Sequence, residues 1–169
     1  MHYARGIPWS YRRRRFRSRL IPARNWFSER ANSVFCEAFS DKVIEHFMCP
    51  RNNGSMPDAD ATGSCSDPAC GDCLMIYIKV KDNTIADISF LVFGCVAAIA
   101  SSSMTTELAK GKTLEEALKI TDADIANALG GLPENKLHCS VLGASALKKA
   151  IENYSASTYG HAADRSAVE

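Results

Sequence analysis

Cys36, Cys49, Cys65, Cys70, Cys73, Cys95 and Cys139 are the residues of this chain best equipped for chemistry. Their number is odd, the chain is far longer than a disulfide-stapled mini-domain, and no export signal is visible. Such cysteines are expected to be metal-binding, catalytic or inert rather than cross-linked. Thiolates are soft donors that suit zinc, copper(I) and iron–sulfur clusters, so three or four brought together by a fold could hold any of these. The separations Cys70 to Cys95 and Cys95 to Cys139 match no zinc-finger or ferredoxin pattern. For any single cysteine, Cys36 and Cys49 above all, an inert buried thiol is the default. Cys70-Gly71-Asp72-Cys73 is a C-x-x-C, but a redox pair should open a helix, and this one precedes a strand-forming run. Cys65 and Cys73 could form a reversible disulfide or serve as spare ligands. His138, beside Cys139, is a candidate ligand, acid–base group or helix cap.

These side chains need elements to position them. Ser40 caps a short helix that carries Val43, Ile44 and Phe47 at helical spacing and stops at Pro50. The stretch 51–69, rich in Gly, Asn, Asp, Ser and Pro, reads as a mobile loop. Leu74–Val80 and Thr84–Phe93 are β-rich runs joined through Lys81-Asp82-Asn83, a hairpin signal. Cys95–Lys110 is helical and small-residue-rich, closed by Gly111. Thr113 opens a capping box and Thr121 another short helix. A last helix starts near His138 and is expected to end about Tyr154, with Leu147, Ala150, Ile151 and Tyr154 on one apolar stripe. Strands early and helices late imply an α+β fold, a small antiparallel sheet with helices on one face. In that outline Cys70 ends a loop, while Cys95 and Cys139 begin helices, where the dipole should favour thiolate.

The chain has 169 residues, 46% of them hydrophobic, and a formal charge of +1. That near-neutral total hides a division. Residues 1–35 carry nine Arg and one acid, a net +8, whereas the remainder carries eleven bases and eighteen acids, a net −7. The acidic body argues against a nucleic-acid-binding domain. No window reaches the roughly 18 apolar residues of a membrane-spanning helix. The expected organisation is a basic leader over 1–38, one domain over 39–154, and a flexible tail over 155–169. The Arg-rich, acid-poor leader has the composition of a mitochondrial transit peptide. A translation start assigned too far upstream is the competing expectation, since no Met lies between Met1 and Met48.

Three ordered motifs carry a family resemblance. Pro68-Ala69-Cys70-Gly71-Asp72, then Phe93-Gly94-Cys95 running into Ala97–Ser103, then Lys136-Leu137-His138-Cys139-Ser140 resemble the U-type iron–sulfur cluster scaffolds, IscU and the N-terminal domain of NifU. Ser40-Asp41-Lys42-Val43, Pro50-Arg51-Asn52 and Gly111–Leu118 also fit, so the likeness covers roughly 39–154. It implies a small antiparallel sheet of about three strands with helices against one face. It also implies that Cys70, Cys95 and Cys139 are the cluster cysteines, Asp72 the accompanying carboxylate and His138 an accessory ligand. Such proteins are not enzymes. They accept sulfur as persulfide from a pyridoxal-phosphate cysteine desulfurase, take up iron, build a 2Fe–2S cluster and pass it to acceptor apoproteins; zinc can occupy the same site. Cys139 is the expected first sulfur acceptor, because a thiolate is needed to attack a donor persulfide. Leu132-Pro133-Glu134-Asn135-Lys136 replaces the Leu-Pro-Pro-Val-Lys motif of some members, which puts an Hsp70-type chaperone in doubt. A zinc-bound, SufU-like sulfur-transfer protein is the alternative, disfavoured because that branch lacks this histidine, and a structural zinc or thiol domain is the second. No nucleic acid or membrane is expected as a partner, and homo-oligomerisation stays open. The NifU-like motifs point to a prokaryotic cytoplasm, with a mitochondrion-type organelle as the alternative.

Overall fold

A computed structural model describes residues 39–68 and 70–165, so the basic leader and Cys36 lie outside the described residues. The element order is α1 (Asp41–Met48), β1 (Ala61–Asp67), β2 (Asp72–Lys81), β3 (Thr84–Phe93), α2 (Val96–Ala109), α3 (Leu114–Ala117), α4 (Asp122–Ala128), a 3₁₀ turn (Glu134–Lys136) and α5 (His138–Arg165). The three strands form one antiparallel sheet in the order β1-β2-β3. This is the α+β architecture expected from the sequence.

Alternation along the strands sets the two faces of the sheet. In β2, Leu74, Ile76 and Ile78 are buried while Cys73 and Met75 are exposed. Across the β2–β3 pair, Ile76 meets Phe90 and Ile78 meets Ile88, so large apolar side chains sit opposite one another on the covered face. Leu142, Ala146, Leu147, Ala150 and Ile151 of α5 complete that core. The helix stripe read from the sequence is therefore real. The β2–β3 hairpin turns through Asp82 and Asn83, both at positive φ (51° and 57°), as a two-residue turn with the twist of a hairpin requires.

Two expectations need correction. The segment read as a mobile loop contains β1, whose residues Ala-Thr-Gly-Ser-Cys-Ser-Asp lack the bulky side chains that mark a strand. Backbone pairing with β2 holds it, and Gly63 lets α5 approach: a Cβ there would stand 2.3 Å from Ala146 O and Ala150 N. The last helix runs past Tyr154 to Arg165. Its extension has no proline, and the Ser155 and Thr158 hydroxyls bond the carbonyls one turn back, at 3.0 and 2.9 Å.

α2 is the central helix, buried along most of its length despite its five hydroxyl residues. Ser102, Thr105 and Thr106 satisfy their hydroxyls on helix carbonyls at 2.7–2.8 Å. Small side chains then let neighbours pack close. α1 docks on α2 through buried His46, whose Nδ1 lies 2.9 Å from Ser103 Oγ and whose Nε2 accepts from Arg51 at 2.6 Å. Burial first, then the Arg51 charge, lowers the His46 pKa against the opposing pull of Glu107 and Glu45.

Candidate metal centre

Three separate junctions of the fold meet at one end of the sheet. Asp72 opens β2 and is buried. Cys95 is the N-cap of α2, with its backbone N–H donating to Asp72 Oδ1 at 3.3 Å. His138 and Cys139 are the first two residues of α5, delivered by the 3₁₀ turn that follows Pro133. Gly94 makes this convergence possible, because a Cβ at that position would lie 2.9 Å from Asp72 Cγ and Oδ1 and from Ala98 Cβ.

The sulfur atoms of Cys95 and Cys139 are 3.7 Å apart, and the Cys139 thiol lies 3.8 Å from Asp72 Oδ2. Two thiolates on one tetrahedral zinc-sized ion, at about 2.3 Å each, stand about 3.8 Å apart. A thiolate and a carboxylate oxygen on the same ion stand about 3.6 Å apart. The observed spacing is thus close to that of ligands already arranged around an ion. Asp72, His138 and Cys139 present ligand atoms all within 4.8 Å of one another. His138 Nε2 is buried with no hydrogen-bond partner among the described residues. An orphaned imidazole nitrogen in a group with a thiol and a carboxylate fits a cation.

Cys70 occupies the exposed turn between β1 and β2, closed by Gly71 N–H to Asp67 O at 2.8 Å with Gly71 at φ +75°. Its sulfur joins His138 and Asp67 in a second group within 4.8 Å. Asp67 is the residue that sequence reasoning missed. It pairs with Asp72 in register across β1 and β2, a position that could be found only once β1 was known to be a strand. All five expected residues, Cys70, Asp72, Cys95, His138 and Cys139, therefore converge, with His138 common to both groups.

Thiol energetics differ from the sequence expectation. A helix start was expected to favour the Cys139 thiolate, yet burial pushes this thiol well above its ordinary pKa, and the neighbouring Cys95 sulfur and Asp72 carboxylate add to the rise. At Cys70 the Asp72 backbone N–H favours the thiolate, but local desolvation and the Asp72 and Asp67 carboxylates outweigh it, and the net shift is upward. Both thiols are poised to give up a proton when a cation arrives rather than before.

The other cysteines stand apart. Cys65 leans toward the helix-covered core opposite Leu74, whereas Cys73 lies on the open face between Ser66 and Phe93. Opposite faces of the sheet separate this pair, and Cys73 points away from buried Asp72. The notion of Cys65 and Cys73 as a disulfide with each other is thereby excluded. Cys49 is the exposed C-cap of α1.

Known proteins share this arrangement of sequence and fold. A family model described as NifU-like N terminal domain matches residues 38–160. The chain is 62% identical over 116 residues to an iron-sulfur cluster assembly scaffold protein IscU 1 of Archaeoglobus fulgidus, covering 69% of this chain and 76% of that one. It is 51% identical over 124 residues to the nitrogen fixation protein NifU of Trichormus azollae, covering 69% of this chain and 41% of that protein. The crystal structure of a nitrogen-fixing NifU-like protein (N-terminal) from Brucella abortus superposes with a TM-score of 0.55 at 19% identity, covering 69% of this chain and 93% of that one, and speaks for the fold alone.

Proposed function

The chain belongs to the NifU-like N-terminal domain family, and from that premise we propose that it is a scaffold on which a 2Fe–2S cluster is assembled and then given to acceptor apoproteins. The observation that carries this reading is the convergence of Cys70, Asp72, Cys95, His138 and Cys139, with Cys95 and Cys139 already 3.7 Å apart. Iron and sulfur are cargo here, not resident cofactors.

Sulfur enters as the terminal atom of a persulfide on a cysteine desulfurase. Cys139, once ionised, attacks that atom; the new S–S bond forms on Cys139, the donor's S–S bond breaks, and the donor leaves as thiolate. Because burial disfavours the Cys139 thiolate, a cation held by Asp72 and His138 would favour its ionisation, which ties sulfur acceptance to metal loading. Iron bound by thiolates and one carboxylate is held less firmly than by four thiolates, because oxygen is the harder donor. Asp72 is thus the exchangeable position through which the cluster leaves.

One observation favours a second reading. Asp72, His138 and Cys139 form a three-donor group, with Cys95 Sγ 3.7 Å from Cys139 Sγ, while Cys70 groups with Asp67 and His138 at the exposed turn; a carboxylate, a histidine and two cysteines suit a single zinc ion. A zinc-bound protein relaying sulfur from a desulfurase would use that set. Anaerobic incubation with ferrous iron, cysteine and a cysteine desulfurase separates the two. The scaffold reading expects visible absorbance that is lost in Cys70→Ala, Cys95→Ala and Cys139→Ala; colourless protein with stoichiometric zinc and faster desulfurase turnover supports sulfur relay.

A further inference from the structure

His138 serves two groups of donors, and the scaffold reading uses only one of them fully. The inner group, with Asp72 and Cys139, is buried. The outer group, Asp67 and Cys70 with the same His138, reaches solvent, and its ligand atoms also lie within 4.8 Å of one another. Asp67 ends β1, directly across the strand pair from Asp72, and of the two carboxylates Asp72 is buried and Asp67 partly exposed. Both belong to groups that share His138, whose buried Nε2 has no partner among the described residues.

We propose that Asp67, Cys70 and His138 form an entry site that captures divalent iron at the mouth of the centre and passes it inward on His138. The chemistry favours capture outside first. A hydrated divalent cation must shed water and displace thiol protons, and at the exposed Cys70 both leave directly into solvent. One carboxylate and one thiolate then balance the two positive charges, while the neutral imidazole adds a borderline donor that suits ferrous iron. Inward transfer is ligand exchange without redox change. The ion keeps its charge and its bond to His138, the Asp67 oxygen is replaced by an Asp72 oxygen, and the Cys70 thiolate is replaced by Cys139, whose proton ends on the released Cys70 sulfur. The entry site rests on the scaffold reading only for the identity of the cargo.

Cobalt(II) is the probe, since its thiolate charge-transfer absorbance reports sulfur ligation directly. In the full chain carrying Cys95→Ala and Cys139→Ala, the inner thiols are gone. The proposal expects one cobalt ion still bound with a charge-transfer band that disappears on adding Cys70→Ala. Adding Asp67→Ala instead should weaken binding at least about tenfold, the lower end of what loss of a ligand's supporting partner costs; Asp67→Glu should recover part of it. Binding unchanged by Asp67→Ala overturns the proposal. A second measurement leaves the inner thiols intact: stopped-flow cobalt uptake by the Asp67→Ala chain should begin at least about tenfold more slowly and reach the same final stoichiometry, and an unchanged rate overturns the entry site. If cobalt uptake depends on Asp67 but the natural chain builds no cluster, the entry site stands and the scaffold reading falls.

Discussion

Replacing Gly94 by Ala tests how closely the fold and the centre are tied. The added Cβ would stand 2.9 Å from Asp72 Cγ and Oδ1 and 2.9 Å from Ala98 Cβ. Unstrained carbon contacts lie at about 3.5–4.0 Å, so the carboxylate or the α2 backbone must move by about 0.6–1 Å. A carboxylate shift of that size stretches the 3.3 Å bond from Cys95 N–H beyond useful length. Overpacking of this kind costs about 1–3 kcal/mol, and a lost hydrogen bond to a charged group adds about 1.5–3 kcal/mol if the carboxylate finds no other donor. Urea unfolding of metal-free protein should therefore show Gly94→Ala less stable by about 2–4 kcal/mol, with zinc affinity reduced in a chelator competition. The same substitution in an Asp72→Ala background should cost less by at least about 1 kcal/mol, because the carboxylate it strikes is gone and only the Ala98 contact is left. A Gly94→Ala penalty below about 0.5 kcal/mol, or an equal penalty in both backgrounds, would refute the close-approach reasoning.

Gly63→Ala should be more damaging, since its Cβ would meet the α5 backbone at 2.3 Å and a helix must move rather than a side chain; a loss of at least about 3 kcal/mol in urea unfolding is expected, and a loss under about 1 kcal/mol contradicts it. His46 predicts a pH dependence. Its folded pKa is lowered from 6.5 by burial and Arg51, so its contribution to stability is present above about pH 6.5 and is lost as pH falls through the folded value. The thermal midpoint should drop below pH 6.5, and His46→Gln should flatten that drop; equal slopes in both chains speak against the linkage. Asp72→Ala should prolong the visible absorbance of purified holo-protein, because it removes the exchangeable oxygen donor, and faster bleaching would count against Asp72 as the exit point.

Local chemistry was legible wherever a side chain acts on its own neighbourhood. Ser40 caps α1, and Thr113 and Thr121 form capping boxes with Glu116 and Asp124, as their spacing announces. β2 and β3 declared themselves through Leu74, Ile76 and Ile78 facing Ile88 and Phe90. β1 did not, because what holds it is pairing with β2 and the absence of a side chain at Gly63, neither of which has a local signature. Asp67 was invisible for the same reason. The Cys139 thiol departs from the helix-start rule because that rule is local while burial is set by the whole fold. Spacing alone left Cys70, Cys95 and Cys139 three unrelated cysteines; motif resemblance joined them, and the meeting of the β1–β2 turn with the starts of α2 and α5 gives that joining its physical cause.

A scaffold differs from a storage site in what it does with its cluster. The most direct measurement loads the chain anaerobically, adds an apo-ferredoxin of the 2Fe–2S type together with an iron chelator, and follows both proteins by circular dichroism in the visible range. The ferredoxin should gain its own cluster spectrum as the chain loses its signal, with little iron diverted to the chelator. Iron–chelator complex forming while the ferredoxin stays colourless would contradict it.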